Sequence, residues 1–394
     1  MSNNYTGMRR RFGDDEAGLH RCAERLIALR SALSTVRRHE GSLMLATFNI
    51  RDFDSNKFGF GPRKLESMYY LAEIISAFDL VAVQEISRDL TPLVTLMGIL
   101  GPDWDYIVTD ATEGRGGNGE RMGFLYNRSG VYFRKIAGEV VLPEGQTIVG
   151  NNPVPETKKT AKGNGQFART PFLVAFASGW FRFNLCTVHI YYGSESGAGL
   201  RQRIDEIRRL VAFFARRQDS EMRQRKKAVT DSGGKFAPGQ TENYILLGDF
   251  NVVSPEHETM QALEDHGFTV PDAIKGDQIN STDPTRRPHY YDQIAVRVAD
   301  PRFEVLGGGM FDVYDYVYRD EDIAAYETDL AQAKSNIAKN KTPDPGEPEP
   351  GPAGNDPLAF YHRWRTWQMS DHYPLWVEIK TDFTDEYLAG LAQN

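Results

Sequence analysis

From residue 43 the chain repeats one texture: short apolar runs rich in Val, Ile, Phe and Tyr, each closed by polar residues. LMLATFNI, LVAVQEI, RMGFLYN, PFLVAFAS, FRFNLCTVHI, YILLGDFNV, YDQIAVRV and LWVEI have the length and composition of strands. Helical patterns lie between some of them, at residues 63–77 and at 200–217, where Leu200, Ile204, Ile207, Leu210, Val211 and Phe214 form a stripe. Strands and helices mixed through one body predict an α/β fold with helices covering the sheets. Ahead of this body, residues 16–37 place Leu19, Cys22, Leu26, Leu29, Leu33 and Val36 at steps of three and four, which is one face of a helix. This amphipathic helix is expected to dock on the body; binding a partner is the alternative, and no such partner is identified.

Other stretches lack that periodicity. Residues 143–165 and 219–240 are polar and read as loops. Residues 320–340 carry a weak stripe through Ile323, Tyr326, Leu330 and Ile337, and KTPDPGEPEPGPAGNDP then supplies six prolines in seventeen residues, an extended and solvated composition. The expected organisation is an N-terminal helical extension over 1–40, a body over 41–380 with an insertion at about 320–357, and a C-terminal tail over 381–394.

Composition narrows the class. Of 394 residues, 40% are hydrophobic, enough for a sizeable core, and the two cysteines, Cys22 and Cys186, are too far apart in sequence to make a redox or metal pair. No run approaches the roughly 18 apolar residues of a membrane helix, and no apolar segment of an export signal follows Arg9, Arg10 and Arg11. A soluble, cytoplasmic protein without membrane insertion is expected. The balance of 46 Lys plus Arg against 54 Asp plus Glu argues at first against a polyanionic partner. Acids gathered at a metal site, however, lower the total without repelling a phosphate once the cation is bound. Residues 201–227 run the other way, with ten Arg or Lys against four acids. They suit either contact with a polyanion or a solvated helix face. The aromatic run Phe360, Tyr361, Trp364 and Trp367, interleaved with Arg363 and Arg365, suits core anchoring better than base stacking.

Chemistry concentrates where the apolar runs end. Asn49 closes TFNIR, Glu85 closes VAVQEI, His189 sits in VHIYYG, Asp249 and Asn251 in LLGDFN, Asp292 in YYDQI, and Asp371 with His372 in SDHYP. Taken alone, Gly-Asp and Asn also suit a turn; six polar strand ends combining carboxylates, carboxamides and imidazoles point to a site. Oxygen donors fit a hard cation such as Mg²⁺ or Mn²⁺, and neither a Cys cluster nor HExxH is present to favour zinc. An imidazole oriented by a carboxylate serves as general acid or base near neutral pH. Metal and imidazole together read as hydrolysis of a phosphate ester. GxSxG and GxxxxGK[ST] are absent.

The ordered set TFNIR, VAVQEI, GERMGFLYN, VHI, LLGDFN, YYDQI and SDHYP resembles the endonuclease/exonuclease/phosphatase superfamily and, within it, deoxyribonuclease I. The resemblance covers most of residues 43–380. It implies a four-layer α/β sandwich, two packed mixed sheets with helices outside, and Mg²⁺- or Mn²⁺-dependent hydrolysis of phosphodiesters by direct attack of water. It also implies roles: Glu85 as principal metal ligand with Asn49 beside it and Asp371 near the metal or its waters, Asp249 and Asn251 on the attacking water and phosphate, His372 held by Asp292, His189 held by Glu120, and Arg169 of FARTPF on a substrate phosphate. DNA is the substrate the resemblance favours. A phosphatase or a sphingomyelinase-like phosphodiesterase on the same site is the alternative, and a catalytically silent binding protein a more distant one.

Overall fold

The structure, a computed structural model, describes residues 3–392 except 37, 113–118, 145, 147, 149–164, 235–242, 277–288 and 341–355. Most of the 143–165 stretch and of the Pro-rich stretch therefore lies outside the described residues.

After a short helix α1 (Met8–Phe12) and the amphipathic α2 (Glu16–Leu33), the chain runs β1 (Ser42–Phe53), α3 (Leu65–Ile75), β2 (Leu80–Ile86), α4 (Thr91–Leu100), β3 (Trp104–Val108) and β4 (Arg121–Asn127). It continues through β5 (Tyr132–Glu139), β6 (Phe172–Ser178), β7 (Phe181–His189), α5 (Gly197–Asp231), β8 (Tyr244–Asp249), α6 (Glu258–Leu263), β9 (Asp292–Arg297) and β10 (Val305–Met310). A 3₁₀ stretch at Asp320–Tyr326 leads into α7 (Glu327–Lys339), followed by α8 (Pro357–Gln368), β11 (Leu375–Lys380) and α9 (Thr384–Ala392). All eight apolar runs are strands. Three further strands, β3, β5 and β10, carry too few buried positions to stand out from sequence.

Two mixed sheets result. One has the order β10-β11-β1-β2-β4-β3 and the other β5-β6-β7-β8-β9; β1/β2 and β7/β8 are parallel, the other pairs antiparallel. Strand alternation explains how they stack. Leu43, Leu45, Leu80 and Ala82 belong to the hydrophobic cluster that includes Val174, Phe176, Phe183 and Leu247 of the second sheet. Their neighbours Met44, Ala46, Phe48, Val81 and Val83 turn the opposite way, to Cys22, Leu26 and Leu29 of α2 and to residues of α3 and α4. Ile204, Ile207, Leu210 and Phe214 of α5 cover the outer face of the second sheet. The order of layers is helix, sheet, sheet, helix, an α/β sandwich of four layers. No helix among the described residues is long and apolar enough to cross a membrane.

The N-terminal α2 packs against α3, with Asp15 accepting the Gly18 amide at 2.8 Å as its N-cap. Cys22 and Cys186 are both free and buried, in different clusters. One expectation is corrected. The polar stretch from 219 continues α5 to Asp231 instead of forming a loop. The cause is local: Arg217 pairs with Glu221 one turn on at 3.2 Å, Glu221 also accepts the Tyr244 hydroxyl at 3.1 Å, and Arg, Gln, Lys and Ala at 223–228 are good helix formers without any apolar stripe. On the other outer face Tyr361, Trp364 and Trp367 of α8 are buried beside Tyr318, Tyr326 and Leu330, so the aromatic run anchors the returning chain.

Candidate active site

The strand registers place the polar residues before any side chain is considered. His189 lies directly opposite Asp249, and Asp249 directly opposite Asp292, so three neighbouring strands carry the three groups in one row. Gly248 makes the row possible: a Cβ there would sit 2.2 Å from the Val188 carbonyl oxygen, at φ +131°. Across the gap between sheets, Asn49 shares the parity of Leu43 and Leu45 and therefore faces the second sheet. Asn49 Nδ2 donates to Asp249 Oδ2 at 3.2 Å and to Glu85 Oε1 at 3.0 Å.

Glu85 reaches the site by breaking the alternation. Its parity matches Val81 and Val83, which face the helices, yet the pairing of β2 shifts register on both sides of it and its φ is +60°. This bulge turns the carboxylate into the space between the sheets. A left-handed conformation costs a non-glycine residue about 1–3 kcal/mol, and fixed donors oppose that cost: the Asp52 amide meets Oε2 at 2.9 Å while Asn49 holds Oε1.

Two imidazoles flank Asp249. His372 Nε2 is 3.8 Å and His189 Nε2 3.6 Å from Asp249 Oδ2, and His189 Nε2 is 3.9 Å from Glu85 Oε1. On the far side of its ring, His372 Nδ1 meets Asp292 Oδ2 at 2.5 Å. Burial works against the His372 cation, but the Asp292 carboxylate, supported by Asp249 and Asp371, more than offsets it and raises the imidazole well above its ordinary range. Burial likewise pushes the Asp292 carboxyl up, to about 6, against the pull of His372. His189 is held more loosely. Its Nδ1 lies 3.2 Å from Glu120 Oε2 without a hydrogen bond in line, and the same oxygen accepts from Arg169 Nε at 2.8 Å.

The expected site residues thus fall into two groups. Asn49, Glu85, His189, Asp249, Asp292 and His372 converge, with Glu120 behind His189. Asn251 stands at the edge: its amide donates to Asp249 Oδ1 at 2.9 Å, while its side chain is committed to the Ile190 carbonyl at 2.7 Å. Asp371 is turned to Arg51, 3.5 Å from its Nε, and Arg169 braces Glu120.

Supporting residues escaped the sequence reading. Ser370 Oγ donates to the Asn49 carbonyl at 2.6 Å and accepts the His372 amide at 3.0 Å, tying the first strand to the imidazole. Arg203, fully buried, donates to the carbonyls of Asn251 and Ser194 at 2.9 and 2.8 Å. Glu206 accepts the amides of Tyr191 and Ala168, bracing the segments that carry His189 and Arg169, and burial raises its carboxyl. Arg203 and Glu206 did leave a signal: both fall on the apolar face of α5, beside Ile204 and Ile207. The half-buried rings of Tyr192, Tyr291 and His289 adjoin one another beside His372; Tyr291 is 6.0 Å from the imidazole and 4.4 Å from His289.

The donors suit a hard cation. Asn49 Oδ1 is buried and has no hydrogen-bond partner among the described residues, next to the Glu85 carboxylate, which is what an oxygen reserved for a metal looks like. Among the described residues no group of three or more His, Cys, Asp or Glu is placed to hold an ion. Carboxamide and carboxylate oxygens of this kind suit a hard divalent cation that keeps several waters.

Residues 46–372 match the model of the Endonuclease/Exonuclease/phosphatase family. A comparison with curated proteins finds no match. Among solved structures, the chain is similar to an endonuclease/exonuclease/phosphatase family protein from Bacteroides thetaiotaomicron, with 18% identity, a TM-score of 0.45 and coverage of 87% of this chain and 98% of that one. It is similar also to a mannosyl-6-phosphatase of the same organism, at 18% identity, a TM-score of 0.45 and 86% and 99% coverage. A third is D. rerio TDP2 complexed with single strand DNA product, at 12% identity, a TM-score of 0.46 and 86% and 99% coverage.

Proposed function

The chain belongs to the endonuclease/exonuclease/phosphatase family, and from that premise we propose that it is a divalent-metal-dependent phosphodiesterase that hydrolyses DNA by direct attack of water. The observation that carries this reading is Asp249: one carboxylate oxygen lies between two imidazoles and against Asn49, at the point where both sheets meet. Asn49 and Glu85 would hold Mg²⁺ or Mn²⁺. The chemistry such a cation supplies when bound is neutralisation of charge at a nonbridging phosphate oxygen.

The protein's own residues account for the remainder. Asp249 is oriented through both oxygens, by the Asn251 amide and by Asn49, and so is placed to accept the proton of the attacking water. His372, kept protonated by Asp292, presents Nε2 to the phosphate as a donor. His189 presents its Nε2 from the opposite side of Asp249. DNA as substrate is supported by the tyrosine and histidine rings beside His372, since flat half-exposed rings suit bases.

A substrate panel tests the proposal. Purified protein should nick plasmid DNA in Mg²⁺, stop on addition of EDTA, and lose the activity in Asp249→Asn. Turnover confined to sphingomyelin or inositol phosphates in the same buffer would refute the DNA reading while leaving the phosphoesterase one.

A further inference from the structure

The long helix α5 changes character along its length. Up to Gln218 most of its cations are neutralised or buried: Arg203 binds carbonyls, Arg208 pairs with Glu258 at 2.7 Å, Arg209 with Asp205 at 3.2 Å and Arg217 with Glu221 at 3.2 Å, while Arg201 and Arg216 are exposed singly. The last buried residue of the helix is Gln218. Beyond it, from Met222 to Thr230, come Arg223, Arg225, Lys226 and Lys227 and no acid, with Arg223, Lys226 and Lys227 exposed. Glu221, the nearest preceding acid, is engaged by Arg217 and by Tyr244 at the start of β8, the end of that strand opposite Asp249. At 1.5 Å per residue, Lys226 stands about 35 Å along the helix from Arg203.

We propose that this projecting end of α5 is a second polyanion contact, separate from the active site, and that its occupant is the phosphate backbone of duplex DNA. The choice of DNA rests on the function proposed above; the contact itself rests on charge. Four cations within five positions match a polymer that carries one negative charge per about 1.7 Å of duplex axis. An anionic bilayer fits less well, because Met222 is the one large apolar side chain exposed on this stretch of α5 and an interfacial helix needs a broad apolar face. A duplex of about 10 base pairs covers the roughly 35 Å between Arg203 and Lys226. The arm would therefore add affinity for long DNA and leave small phosphodiesters unaffected.

The test compares wild type with a variant carrying Arg223→Gln, Arg225→Gln, Lys226→Gln and Lys227→Gln. Glutamine retains helix propensity, so thermal unfolding should be unchanged. Binding of a fluorescent duplex of about 30 base pairs is followed by anisotropy in EDTA, which prevents turnover, over a range of KCl. The expected result is a slope of log affinity against log salt that is shallower by about 3 to 4 in the variant. Affinity near 0.1 M salt should fall at least about tenfold, with unchanged Mg²⁺-dependent hydrolysis of bis(p-nitrophenyl) phosphate. An unchanged slope and affinity would overturn the proposal, as would binding to phosphatidylserine vesicles that the substitutions abolish while DNA binding persists. DNA binding with the predicted loss of slope, but no DNA cleavage by wild type, would uphold the arm and refute the nuclease reading.

Discussion

The two sides of Asp249 use the same chemistry and hold it differently. On one side Asp292, fully buried, meets His372 at 2.5 Å. On the other, Glu120 lies 3.2 Å from His189 out of hydrogen-bonding line and gives the same oxygen to Arg169. Both pairs bridge the sheets, since Glu120 and His372 border strands of the first and His189 and Asp292 belong to the second. The difference shows that a carboxylate beside a histidine does not by itself fix the imidazole. A competing guanidinium decides whether the carboxylate is available. The His372 imidazole is therefore fixed by its carboxylate and the His189 imidazole held by a longer contact; in the function proposed above, the fixed one is the proton donor.

That contrast can be broken most severely from the His372 side. Asp292→Asn removes the charge that sustains the imidazolium and should lower kcat for DNA nicking by about 10³-fold, within the range a positioned acid or base supplies. Glu120→Gln should cost no more than about tenfold, and equal losses would erase the distinction. Next in size is the metal side. Asn49→Ala removes the buried Oδ1 that lacks a partner among the described residues, and the Mg²⁺ concentration for half-maximal rate should rise at least about tenfold, within the effect expected for groups that orient a metal. An unchanged Mg²⁺ titration would detach Asn49 from the metal.

The pH dependence sharpens the comparison further. His372 must be protonated to donate, and Asp292 raises its pKa, so the alkaline limb of the rate profile belongs to His372. Removing the carboxylate in Asp292→Asn lowers that pKa, and the limb should move to lower pH. The limb should stay in place in Glu120→Gln, and its movement there would contradict the assignment. The smallest effect is expected at Ser370, which ties Asn49 to His372. Ser370→Ala should destabilise the fold by about 1–3 kcal/mol, the cost of leaving buried partners unpaired, readable as a lower denaturation midpoint.

Central strands were legible because both faces are covered. LMLATFNI and YILLGDFNV are mostly apolar on both alternating sets of positions, as burial on both faces requires. WDYIV, YFRKIAGE and VLGGGM escaped because β3, β5 and β10 are edge strands with exposed or half-buried positions. The end of α5 escaped because ion pairs and propensity, not an apolar stripe, sustain it. At the site, residue types and order were readable, since Asp249 ends and Asp292 begins a strand with an apolar interior. Two things were not readable: the bulge that turns Glu85 against its parity, and the competition of Arg169 for Glu120. A bulge depends on pairing with neighbouring strands, and a competing ion pair on side chains that meet only in the folded chain.

The central claim is that Asp249, between a fixed and a loosely held imidazole, is the heart of a metal-dependent phosphodiesterase. Its most direct test is the single-turnover rate of Mg²⁺-dependent plasmid nicking in wild type, Asp292→Asn and Glu120→Gln, each with an EDTA control. The expected result is EDTA-sensitive nicking that falls about 10³-fold in Asp292→Asn and no more than about tenfold in Glu120→Gln. Nicking that survives EDTA, or that Asp292→Asn leaves at the wild-type rate, would contradict it.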